Sequence, residues 1–63
     1  MSITSIKSLL RVYFPDGRGV DEQQLVKRGF NDFCSSAITN GFLTKGSDGK
    51  LYITQFGKNY RDN

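Results

Sequence analysis

Histidine and tryptophan are absent from this 63-residue sequence, and cysteine, proline and methionine occur once each. Without histidine, and with Cys34 as the only thiol, an ordinary zinc site within one chain is excluded, and general-base catalysis loses its usual agent. A lone cysteine cannot close an internal disulfide. With no signal-peptide pattern and no long apolar run, that points to a cytoplasmic protein with no membrane partner. The carboxylates Asp16, Asp21, Glu22, Asp32, Asp48 and Asp62 read as helix caps and turn residues, and no serine stands in a nucleophile elbow. Gly17-Arg18-Gly19 lacks the strand-to-helix setting and the Lys-Ser/Thr ending of a phosphate-binding loop. The expectation is no catalytic residue, no cofactor and no metal.

What is present suits one small domain spanning residues 1–63. The hydrophobic fraction is only 37%, but five Phe and three Tyr supply large buried areas per residue. Phe30, Phe42, Phe56 and Tyr60 are therefore expected in the core, and Cys34 is expected beside them as a small hydrophobe. Nine Lys+Arg against six Asp+Glu leave a net charge of +3, which permits an anionic partner without requiring one.

Along the chain, Ile3, Ile6, Leu9, Leu10, Tyr13 and Phe14 share one helical stripe, so a first helix is expected over Ser2–Phe14, stopped by Pro15. Asp21 is a good N-cap for a second helix, with Gln24 at the reciprocal capping-box position and Val20 and Leu25 placed as a staple. Gly29 ends that helix, whose buried residues should be Leu25 and Val26. A third helix, residues 31–40, opens on Asn31 as N-cap and turns Phe33, Cys34, Ala37 and Ile38 inward. Gly41 then stops it, with Phe42 folding back over Ala37. A hairpin follows, in which Phe42, Leu51 and Ile53 alternate with polar neighbours around a Ser47-Asp48-Gly49 turn. Thr54 is placed to cap a last short helical turn holding Phe56 and Tyr60. Arg18-Gly19-Val20 leaves little room for a strand before the second helix.

The run NGFLTKGSDGKLYITQFG, preceded by an apolar helix and closing on Thr54-Gln55-Phe56-Gly57, resembles the winged-helix superfamily of small transcriptional regulators, of phage or bacterial type. The fold implied is α+β: a winged helix-turn-helix of three helices, a two-stranded wing (residues 44–51) and a short C-terminal helical turn. The resemblance implies non-enzymatic binding of double-stranded DNA. Asn31, Ser35, Ser36 and Thr39 would face the groove, and Lys27, Arg28, Lys45 and Lys50 would contact phosphates. That helical face carries no Arg, Lys or Gln for bidentate base contacts, so a winged-helix interaction module, an adaptor or small inhibitor of a host protein complex, is the alternative. A homodimer would serve either role, with Tyr13 and Phe14 as candidate pairing residues.

Overall fold

In the computed structural model, which describes residues 3–63, the Ser5 side chain accepts a hydrogen bond from the Ser8 amide and opens α1 (Ile6–Tyr13). The helix is shorter than the apolar stripe that predicts it. Ile3 lies before the cap, partly buried against the core, and Ser2 falls outside the described residues. Leu9, Leu10 and Phe14 are fully buried.

The chain then forms β1 (Val20–Asp21), a two-residue strand in the segment that left it so little room. Asp21 both ends the strand and caps α2 (Glu22–Lys27), accepting from the Gln23 amide at 3.0 Å, while Gln24 makes no return bond. Gly29, at φ +86°, closes α2, with the Phe30 amide bonded to the Leu25 carbonyl and the Gly29 amide to that of Val26. After α3 (Asn31–Thr39) the same motif recurs. Gly41 takes φ +82°, the Phe42 amide bonds the Ala37 carbonyl at 2.8 Å, and the Gly41 amide bonds that of Ile38. The expected cap at Asn31 is not made. Phe30 occupies the cap position and no side chain bonds the first turn, because Asn31 is already helical.

The strands β2 (Leu43–Lys45) and β3 (Lys50–Ile53) form the hairpin, and β1 pairs on the other side of β3, giving an antiparallel sheet of order β1-β3-β2. The expected two-stranded hairpin is thus a three-stranded sheet. In the turn, the Gly49 amide bonds the Gly46 carbonyl, and Gly49 adopts φ +81°, the left-handed conformation of a three-residue hairpin loop with a bulge. The last element also exceeds expectation: α4 (Gln55–Asp62) is a helix of eight residues.

The described residues form a small α+β arrangement of four helices and a three-stranded antiparallel sheet. Its core lies between the helices and the inner sheet face. Leu9, Leu10, Phe14, Leu25, Cys34 and Ala37 meet Phe42, Leu43, Leu51 and Ile53 there. Four residues expected inside are not. Val26 (38% exposed) and Ile38 (37%) lie on the margins of their helices, and Phe56 is 60% exposed. Tyr60, at 37%, is the fourth, and Phe30 is half-buried against Tyr13, their ring centroids 5.9 Å apart.

Candidate nucleic-acid interface

The polar side of α3 is open. Cys34 and Ala37 fix the helix to the core, and the remaining rows expose Asn31, Asp32, Ser35, Ser36 and Thr39. These expected groove residues therefore lie on one accessible helix face. Lys27 and Arg28, at the end of α2, are also exposed and make no ion pair.

The two hairpin lysines are arranged differently. Lys45 stands opposite Leu51 in the ladder, on the sheet face that turns toward the core, and its ammonium reaches Glu22 at 3.0 Å. Lys50, one residue from Leu51, emerges on the opposite face, directly across the β1–β3 ladder from Asp21. It lines an open cleft of about 460 Å³ with Tyr13, Gly19, Val20, Asp21 and Gln24. The hairpin thus straddles the start of α2, with a carboxylate near each lysine. The four expected phosphate contacts do not form one cationic surface. Lys27 and Arg28 sit together at one end of α2, Lys45 is paired at its other end, and Lys50 lies on the far side of the sheet.

Charge is distributed accordingly. Between Val20 and Ile53, four Lys/Arg (Lys27, Arg28, Lys45, Lys50) meet four Asp/Glu (Asp21, Glu22, Asp32, Asp48), so this half is neutral. In the connection before it, Asp16 and Arg18 are paired at 3.4 Å. The whole side-chain excess of +3 resides on α1 and α4, where Lys7, Arg11, Lys58 and Arg61 stand against Asp62 alone.

Two features hold the hairpin in place. The Tyr52 ring lies across the outer sheet face over Gly19 and Gly46, where an added Cβ would come within 2.8 Å and 2.6 Å of its ring atoms. Its hydroxyl donates to Asp48 at 2.6 Å, and the other oxygen of Asp48 accepts from the Lys50 amide. The bond from Tyr52, then that from Lys50, holds the Asp48 carboxyl below the ordinary carboxylate range, and the same contact raises the Tyr52 phenol. At the base of the hairpin, Thr54 donates its hydroxyl to the Gly41 carbonyl at 2.6 Å and accepts from the Gly57 amide, while its own amide bonds the Phe42 carbonyl. A Cβ on Gly57 would strike that Phe42 oxygen. Thr-x-x-Gly is thereby a clamp that joins α4 to the end of α3. The motif was visible in the sequence, but its partner carbonyls were not.

Cys34 is 2% exposed, and its thiol is pushed up by burial and then by the charge of Glu22, so it stays protonated and unreactive at neutral pH. Phe14 is fully buried and is thereby unavailable as a pairing residue, while Tyr13 is partly buried. Among the described residues, no three His, Cys, Asp or Glu side chains group as metal ligands, and no helix is long and apolar enough to cross a membrane. The chain matches no family model, no curated protein and no solved structure.

Proposed function

We propose that this chain is a non-enzymatic winged-helix protein that binds duplex DNA through α3. The observation that carries the reading is the exposed polar face of α3, Asn31, Ser35, Ser36 and Thr39 with Asp32 among them, following the exposed cations Lys27 and Arg28 at the end of α2. The element order and the sheet order β1-β3-β2 support the winged-helix assignment, since they set a hairpin beside the second of two consecutive helices. With Lys45 and Lys50 balanced by Glu22 and Asp21, the phosphate term rests on Lys27 and Arg28. Binding is then weak and only mildly salt-dependent, with a slope of about −2 in log K against log salt for two neutralised phosphates.

Fluorescence anisotropy of a labelled random duplex, at low and at physiological salt, tests this directly. Lys27→Ala/Arg28→Ala should weaken binding to every sequence and flatten the slope toward zero. Unchanged binding by that double variant would remove Lys27 and Arg28 from contact with the phosphates.

A second reading has its own support. Ile38, 37% exposed on the same helix, together with the neutrality of residues 20–53, suits close packing on a protein partner. On that reading Ser36→Trp and Thr39→Trp abolish capture of the partner while the far-UV spectrum is preserved, whereas duplex binding is absent even at low salt.

A further inference from the structure

The net charge and the most exposed aromatic ring fall on the same pair of helices, neither of which belongs to the α3 face. Helix α1 packs on α4, and the two carry all of the +3. At their edge, three rings form a ladder. Phe42, 9% exposed, is inserted between Tyr60 and Phe56, at centroid separations of 4.3 Å and 5.1 Å and interplanar angles of 11° and 17°. Lys7 holds its ammonium 5.3 Å from the Tyr60 centroid, and its end of the ladder is thereby closed. The other end is open. Phe56 is 60% exposed, the largest exposure of any large apolar side chain among the described residues.

A chain that buries its other phenylalanines wholly or partly leaves this ring in water while the stack on Phe42 fixes its orientation. Such a ring offers a flat, preorganised face, not a groove for an aliphatic side chain. Its complement is another planar ring on an anionic chain.

We propose that Phe56 is a stacking platform for a base of single-stranded nucleic acid, whose neighbouring phosphates run along α4 toward Lys58 and, at the far Tyr60 end of the ladder, Lys7 and Arg11. Base–aromatic stacking beside a cationic track is how sequence-tolerant single-strand binding works. Arg61 is excluded from the contact set. Its side chain is only 15% exposed, and its guanidinium is bonded to the Phe14 carbonyl and to Asp62. Lys7 and Arg11 rest on the carbonyls of Asn63 and Arg61, but a cation bonded to a neutral carbonyl keeps its charge for a phosphate. This surface is independent of the duplex reading on α3.

The test uses the whole chain and fluorescein-labelled oligothymidylate at low salt. Wild type should bind, and Phe56→Leu, which keeps apolar bulk without a ring face, should bind about tenfold more weakly. Phe56→Trp should retain binding. As the sole tryptophan, its emission should be quenched when a thymine stacks on it. Lys27→Ala/Arg28→Ala should bind oligothymidylate as wild type does, which separates this surface from α3.

Failure of wild type to bind, undiminished binding by Phe56→Leu, or unquenched Phe56→Trp at saturation would each overturn the proposal. Parallel loss in the Lys27/Arg28 variant would do the same, because one surface would then serve both probes. Equal quenching by phosphatidylserine vesicles or polyglutamate would overturn it too, by revealing a surface that responds to charge alone.

Discussion

Single atoms decide how the C-terminal third is held. Gly57 has no side chain because the Phe42 carbonyl occupies the space, and Thr54 carries a hydroxyl because the Gly41 carbonyl and the Gly57 amide both need a partner. Gly57→Ala should therefore cost about 1–3 kcal/mol or more, as an overpacked contact against backbone that cannot swing aside. Thr54→Ala should cost about 1–2 kcal/mol and Thr54→Ser much less, since the serine hydroxyl retains the cap. Urea midpoints at constant m-value would check both. The Tyr52–Asp48 bond makes a prediction in pH. The folded pKa of Asp48 is depressed, so its contribution is complete above the ordinary Asp value of about 3.9 and is lost as pH falls through the folded value. The folded pKa of Tyr52 is raised, so its contribution is complete below about 10 and is lost as pH rises through the folded value. Tyr52→Phe should flatten both limbs of a stability–pH profile, while a substitution at exposed Asp32 leaves the Tyr52–Asp48 dependence in place.

At the scale of the element, apolar rows were legible as helices, but their burial was not. Leu25 and Val26 are adjacent in α2, yet one is fully buried and the other exposed, and Ala37 and Ile38 divide the same way in α3. Adjacent helical residues point about 100° apart, so only one of each pair meets the core when the helix is covered on one side. Leu25→Ala should accordingly cost about 2–5 kcal/mol. Val26→Lys and Ile38→Lys should each stay within about 0.5 kcal/mol of wild type. Large losses from either lysine variant would contradict the burial pattern. Helix α4 is longer than its sequence suggests, because its support comes from far away. Arg61 reaches the carbonyl that ends α1, and Arg11 reaches the carbonyl of Arg61. The Schellman motifs at Gly29 and Gly41, by contrast, are wholly local and were readable as Gly stops.

For the whole molecule, 63 residues correspond to a stability of about 3–9 kcal/mol. One fully buried leucine is therefore a large share of it. Leu51→Ala, where all three strands meet the core, should cost about 2–5 kcal/mol, visible as a lowered midpoint in thermal melts. Charge also sorts itself at this scale. The antiparallel β1–β3 pairing brings Asp21 opposite Lys50, and packing brings Glu22 to Lys45. The middle of the chain is neutral by composition, and packing of α1 on α4 brings the excess from the two ends together.

The sequence by itself determined what depends on neighbours a few residues away: the helix stops at Gly29 and Gly41, the Asp21 and Thr54 caps, the Asp48-Gly49 turn, and the order of three helices followed by a hairpin. It also exposed the candidate groove row, because polar residues on one side of α3 leave Cys34 and Ala37 as the inward side. Only the tertiary structure decided which lysines are free and which are paired, that β1 completes the sheet, and that Phe56 faces water at the open end of a ring stack. Those outcomes join residues about 14 to 31 positions apart. Their energies come from contacts made when distant segments meet, and no local pattern of residues encodes which surface the next element will cover.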